Sequence, residues 1–200
     1  MKLLAALFAS SLVLAIATSH AQEKKATPNS DEVAVIHTSE GEMVLKFWND
    51  AAPETIANFK KLARAGFYNG TTFHRIVKGF MIQGGDPNTK DPAKEDSYGD
   101  GGPGYKIKAE FNDHGHDRGV ISMAREADPD SAGSQFFICL ASTHRLDHKY
   151  TTFGKVIKGE DVLDKIGDTP TAMGPDGARS KPTKRVTIER IDIVPASSIK

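Results

Sequence analysis

Between Thr72 and Ile157 the apolar residues fall into runs of only four to six positions, at Thr72–Val77, Phe80–Gln83, Tyr105–Ala109, Val120–Ala124, Phe136–Leu140 and Thr152–Ile157, with glycines and prolines among and between them. Runs this short, rich in β-branched and aromatic residues, are read as strands rather than helices. Two more precede them, Val33–His37 and Glu42–Trp48, joined as a hairpin across Thr38-Ser39-Glu40-Gly41. In the second, Met43, Leu45 and Phe47 alternate with Glu42, Val44, Lys46 and Trp48, the period of two that lays one face on a core. Many short strands in one domain imply an antiparallel barrel or sandwich, and a barrel leaves no open strand edge.

Helical periodicity is confined to two places. Pro53 suits a first helical turn, Glu54 complements the positive helix end, and Ile56, Phe59, Leu62 and Ala63 share a face before Gly66. A shorter helix is expected at Glu160–Ile166, closed by Gly167. In the last strand, Val186–Val194, apolar residues stand at Val186 and Ile188 and then at Ile191 and Ile193, so a bulge is expected near Glu189-Arg190.

With 200 residues the chain suffices for one domain that buries its own core. Its 26 basic and 26 acidic residues exclude a polyelectrolyte and argue against a nucleic-acid partner, whose binding domain is usually basic. Residues 1–21 read as a signal peptide: Lys2, an apolar run from Leu3 to Ala17 too short to span a bilayer comfortably, then Ser19-His20-Ala21 with cleavage after Ala21. An uncleaved membrane anchor is the alternative. A flexible polar segment follows at 22–31 and the domain itself at 32–196. The expected location is the periplasm, with no membrane association after cleavage. Cys139 is the single cysteine, set in Phe136-Phe137-Ile138-Cys139-Leu140, and reads as a small buried residue rather than a catalytic thiol.

The densest chemical signal is the stretch from Phe73 to Asp86. Strand alternation places Phe73, Arg75 and Val77 on one face and Met81 with Gln83 on one face of the next strand, so an arginine and a glutamine flank an apolar patch. An arginine there needs a partner or a ligand; pairing with Asp86 or Glu110 is the purely structural alternative. His74 is expected to point the opposite way, hydrogen-bonding inside the barrel. His114 and His116 suggest a polar surface loop rather than a metal clip, and His144 with His148 lacks the glutamate of a metalloprotease helix. The glycines at Gly84-Gly85 and Gly99–Gly104 lack the ending of a phosphate loop, so turns and close backbone approach account for them. No G-x-S-x-G elbow supports a serine hydrolase.

That stretch, with Ile121-Ser122-Met123-Ala124, Gly133-Ser134-Gln135-Phe136-Phe137-Ile138, Leu146-Asp147 and Phe153-Gly154-Lys155-Val156, resembles the cyclophilins, peptidyl-prolyl cis-trans isomerases, over Val33 to Val194. The export signal and Ala124-Arg125-Glu126-Ala127-Asp128-Pro129 resemble the bacterial periplasmic branch. The resemblance implies a mainly β fold, a closed eight-stranded antiparallel barrel capped by two α-helices, with its groove on the outer face. Carried over by position, Arg75 matches the catalytic arginine, Phe80, Met81, Phe137 and Leu146 the proline pocket, and Gln83 and Gln135 its polar rim. Gly99 and Ala124-Arg125 border the groove, and Tyr150 stands where many members have a pocket-edge histidine. Arg145 replaces a tryptophan common in the family, so weak cyclosporin binding is expected. The segment Glu126–Ala132 is about one residue longer than in common eukaryotic members, which leaves open which of its residues faces the peptide.

The expected partners are proline-containing peptides and unfolded exported chains, acted on by a monomer that needs no metal or cofactor. A proline-peptide binding module or holdase with incidental catalysis is the main rival; a structural subunit of an envelope assembly is another.

Overall fold

The computed structural model describes residues 31–199, so the expected signal peptide and, apart from Asp31, the polar segment after it lie outside the described residues. In chain order the elements are β1 (Glu32–Thr38), β2 (Gly41–Phe47), α1 (Pro53–Arg64), β3 (Arg75–Val77), β4 (Met81–Gly84), β5 (Val120–Met123), β6 (Phe136–Cys139), β7 (Thr152–Lys158), α2 (Glu160–Gly167), β8 (Thr171–Met173), β9 (Arg179–Pro182) and β10 (Ile188–Pro195). Eight strands form one antiparallel sheet in the order β10-β1-β2-β7-β5-β6-β4-β3, and β8 with β9 forms a separate hairpin.

The eight-stranded, mainly β fold with two α-helices is as expected, but the sheet curls into a half-barrel rather than a continuously hydrogen-bonded barrel. Between the edge strands β3 and β10 the ladder is interrupted, because the chain leaves strand geometry at Phe73-His74 and β3 begins only at Arg75. A short seam crosses the gap: Phe73 N–H donates to Val186 O at 2.9 Å, Ile188 N–H to Thr71 O at 2.7 Å, and Thr72 bridges Thr187.

The concave face carries the main core, with Ile36, Met43, Leu45, Phe47, Phe73, Ile82, Phe136, Ile138 and Phe153 all buried. Helix α1 closes it with Ile56, Phe59, Leu62 and Ala63, and α2 with Leu163 and Ile166. Glu110 is not the arginine's partner. Its carboxylate accepts from the Glu54 and Thr55 N–H groups at 3.1 and 2.8 Å, anchoring an anion at the α1 N-terminus. The bulge in the last strand stands where alternation slips: Ile188 opposes Thr38 and Arg190 opposes His37, leaving Glu189 as the extra residue.

Three further expectations are corrected. Tyr105–Ala109 forms no strand, and only Ile107 makes an isolated bridge, to Ala132. Phe73 does not share a face with Arg75, because the break at His74 resets the alternation: Phe73 and Ile76 enter the core while Arg75 and Val77 face outward. His116, expected on a surface loop, is fully buried.

Candidate functional site

The outer face of the curled sheet carries a separate apolar cluster, in which Met81, Phe137 and Cys139 form the buried floor and Val77, Phe80, Ala124, Leu146 and Tyr150 the half-buried rim. Strand register assembles it. Arg75 pairs with Gln83, Gln83 with Phe137 and Phe137 with Ser122, so a cation, an amide, an aromatic ring and a hydroxyl line up across β3, β4, β6 and β5. One rung along, Val77 pairs with Met81 and Met81 with Cys139, giving the apolar row beside it. Residues two apart on a strand share a face, so the alternation that sends Phe136 and Ile138 into the core turns Phe137 and Cys139 outward. Cys139 is thus buried under the patch, and desolvation pushes its thiol up to about 12. That is the reverse of a reactive cysteine.

Arg75 stands at the edge of this patch. Its Nε donates to Asp176 Oδ2 at 2.7 Å and its Nη1 lies 3.6 Å from Met81 Sδ, so the guanidinium touches the apolar floor while one third of the side chain remains exposed. Its carboxylate partner is therefore Asp176, neither Asp86 nor Glu110. Asp86 serves elsewhere: it accepts from Asn88 N–H at 2.7 Å and Gly99 N–H at 2.5 Å. The Gly99 turn has φ +103°, and a Cβ on Gly101 would stand 2.0 Å from Asp86 Oδ1, so close backbone approach explains the glycines. Their carbonyls are used. Gln135 Nε2 donates to Gly99 O at 2.7 Å and Gly101 O at 2.8 Å, while its Oε1 accepts from Gln83 Nε2 at 3.0 Å.

Two cavities adjoin the patch, and Gln83 and Gly99 wall both. The first, about 430 Å³, extends over Gly101–Lys106, Ala124, Arg125, Glu126 and Gln135. The second, about 450 Å³, lies on the other side, along His74, Arg75, Tyr98, Asp176 and Lys181. Phe80, Met81, Phe137, Leu146 and Tyr150 line neither; this part of the apolar patch is termed the notch. His74 lines the second cavity rather than the barrel interior, and burial lowers its imidazole pKa.

The far rim is braced by cations. Arg125 donates to Lys149 O at 2.7 and 3.0 Å, to Glu126 O at 2.7 Å and to Ala127 O at 3.1 Å, and its guanidinium lies 4.6 Å over the Tyr150 ring. Its donors hold the loop, so the guanidinium acts as a brace beside the cavity that Arg125 helps to line. Tyr150 meets Phe137 edge-on at 5.7 Å and 85°. Arg145 sets its guanidinium 4.9 Å over the Phe80 ring. Beneath the floor, His116 stacks on Phe137 at 5.9 Å, with Nδ1 2.8 Å from Asp147 Oδ1 and Nε2 3.1 Å from Ser122 Oγ. Burial pushes the Asp147 carboxyl up, but hydrogen bonds from His116 and His144 outweigh it and hold the group down at about 2. Ser122 is wholly buried and donates to Thr151 O at 3.0 Å, so this serine, histidine and aspartate support the pocket and offer no nucleophile. His114, read with His116 as a candidate clip, instead stacks on Trp48 at 3.9 Å.

Residues 33–193 match the family model described as cyclophilin type peptidyl-prolyl cis-trans isomerase/CLD. The chain belongs to the cyclophilin-type peptidyl-prolyl cis-trans isomerases. Among its relatives, a peptidyl-prolyl cis-trans isomerase of Synechococcus elongatus is 46% identical over 129 residues, covering 64% of this chain and 83% of that one. Another, from Helicobacter pylori, is 44% identical over 137 residues, covering 66% and 78%. A solved cyclophilin type isomerase of Cryptosporidium parvum, determined in the presence of the dipeptide Ala-Pro, superposes with a TM-score of 0.71 at 32% identity, over 81% of this chain and 98% of that one. In this cyclophilin the ten positions singled out with Arg75 gather on the notch and the walls of the first cavity. The one that sequence reasoning missed is Asp176, although Pro175-Asp176-Gly177 is a turn signal that marks the tip carrying it.

Proposed function

We propose that Arg75 is the catalytic group of this isomerase, acting on an X-Pro bond whose prolyl ring sits on Met81 and Phe137, within exported or unfolded chains in the periplasm. The observation that carries this is a guanidinium touching the buried floor of the outer-face apolar patch, with Nη1 3.6 Å from Met81 Sδ. The likeness to an isomerase solved with Ala-Pro supports a proline-containing ligand. The export signal read at 1–21 supports the compartment.

Rotation about an X-Pro amide is opposed by conjugation of the nitrogen lone pair with the carbonyl, a barrier of about 18–20 kcal/mol. No bond breaks. In the twisted state the nitrogen is pyramidal and regains its lone pair, so a donor aimed at it, or at the turning carbonyl oxygen, is better satisfied there than in either planar isomer. Phe80, Met81, Phe137 and Leu146 hold the ring while the preceding carbonyl swings, and Gln83 and Gln135, hydrogen-bonded to each other, form the polar rim beside it. Raising exchange from about 0.01–0.1 per second to ordinary turnover of about 1–1,000 per second requires roughly 1–7 kcal/mol. One charged hydrogen bond in a partly desolvated notch is of that order.

A periplasmic preparation of the protein, expected to begin at Gln22, should accelerate exchange of an Ala-Pro peptide when enzyme is far scarcer than peptide. A requirement for stoichiometric protein would favour the holdase reading, and an intact Met1 would contradict cleavage after Ala21 and favour an uncleaved anchor.

Arg145 makes a separate expectation. It gives the notch edge a charged cap on Phe80 where a tryptophan would offer cyclosporin an apolar ring. Cyclosporin should therefore inhibit weakly, and Arg145→Trp should tighten inhibition by about tenfold, the equivalent of about 1.4 kcal/mol from one well-buried aromatic contact. A nanomolar inhibition constant for the unaltered protein would contradict this.

A further inference from the structure

Arg75 lies on a strand of three residues, and nothing in β3 itself fixes where its long side chain points. What fixes it comes from the β8–β9 hairpin, which forms a two-stranded sheet of its own among the described residues and packs beside β3. At its tip, Asp176 accepts on two sides. Oδ2 takes the Arg75 Nε–H at 2.7 Å; Oδ1 takes the Ser180 hydroxyl at 2.6 Å and the Ala178 N–H at 3.1 Å. On the Gly174 side the carboxylate is closely packed: a Cβ on Gly174 would stand 2.2 Å from Ser180 Oγ and 2.9 Å from Asp176 Oδ1. Gly174 N–H closes the turn on Ala178 O at 2.7 Å.

The geometry decides what this contact does. Engaging Nε turns the edge that it shares with Nη2 toward the carboxylate and leaves Nη1 on the other side of the planar fork, where it lies against Met81. A free arginine samples many rotamers, and ordering it in one carries an entropic cost. Here that ordering is done before any peptide arrives.

We infer that Asp176, itself held by Ser180, is the positioning residue that aims the Arg75 guanidinium over the apolar notch; this rests on Arg75 being the catalytic group. Asp176 touches no substrate and takes no proton. Burial pushes its carboxyl up, but the hydrogen bonds from Ser180, Arg75 and Ala178 outweigh it and hold it at about 2, so the partner is an anion throughout the neutral range.

The test is a double-mutant cycle on exchange of an Ala-Pro peptide, with peptide affinity and melting temperature measured in parallel. Asp176→Ala should lower kcat/KM about tenfold, the size of one charged hydrogen bond, through kcat, with the dissociation constant changed less than about twofold. Asp176→Asn should recover part of the loss, because the carboxamide oxygen still accepts from Nε. Ser180→Ala should give a smaller loss, since the Ala178 N–H remains. In an Arg75→Ala background, Asp176→Ala should have no further effect, because the two residues act as one unit. Equal losses in both backgrounds, or a loss explained by a lowered melting temperature, would overturn the inference. If Arg75→Ala abolishes catalysis and Asp176→Ala leaves it at the wild-type level, the inference alone falls. If Arg75→Ala leaves catalysis intact, the catalytic reading falls and takes this one with it.

Discussion

Arg75→Ala should reduce kcat/KM for an Ala-Pro peptide about 100-fold, the loss typical when one preorganised transition-state donor is removed. The loss should fall on kcat. On the proposed reading the planar ground state holds its prolyl ring on Met81 and Phe137, an apolar cluster that the truncation leaves in place, so peptide affinity should change little. Arg75→Lys should recover only part of the activity. It keeps the charge, but an ammonium is a point donor that cannot hold Asp176 through Nε while presenting a terminal nitrogen to the peptide. Stability should scarcely move, because the Arg75 side chain is one third exposed and Asp176 retains Ser180 and Ala178 as partners. Steady-state exchange measurements together with isothermal titration of peptide separate the two parameters. A fall in affinity with kcat unchanged would make Arg75 a binding residue.

Phe59→Ala should have the opposite profile, a large loss of stability with the chemistry intact in the folded fraction. Phe59 is fully buried on α1 and its ring meets four others: Phe47 at 5.9 Å, Tyr68 at 5.2 Å, Phe136 at 5.6 Å and Phe153 at 5.5 Å. It joins the helix to β2, β6 and β7, so no single neighbour can collapse into the space it leaves. Truncations of this kind cost about 3–5 kcal/mol. In a domain of this size that lowers the melting temperature by roughly 6–20 °C. Urea unfolding should show a lower midpoint, while kcat at low temperature stays near the wild-type value. A loss below about 1 kcal/mol would mean that the ring cluster is not the keystone of the core.

Local signals carried most of the fold. The alternation in Met43, Leu45 and Phe47, the helical face of Ile56, Phe59, Leu62 and Ala63, and the slip at Glu189 each depend on neighbours a few residues apart, and each stands as expected. Alternation alone put Met81 and Gln83 on one face of β4, whereas Phe137 was assigned to the patch only through the family resemblance and Cys139 was read as a core residue, although both obey the same period of two on β6. Where local order breaks, the reading broke with it. The irregular backbone at His74 reset the phase between Phe73 and Arg75, and the polar segment around His116 gave no sign that a histidine would be buried against Phe137. The β8–β9 hairpin was missed because its strands are short and largely exposed, with no apolar alternation to mark them. Its decisive contact, Arg75 with Asp176, joins residues 101 positions apart. No periodicity encodes such a pairing; only the folded chain brings the two groups together.

The account turns on where a bound proline lies relative to one guanidinium, and a structure of the protein with an Ala-Pro peptide measures that directly. It should place the prolyl ring against Met81 and Phe137, with a terminal nitrogen of Arg75 within hydrogen-bonding distance of the imide nitrogen or the carbonyl that precedes it. A ring seated in either flanking cavity, or an Arg75 turned away from the imide, would contradict it.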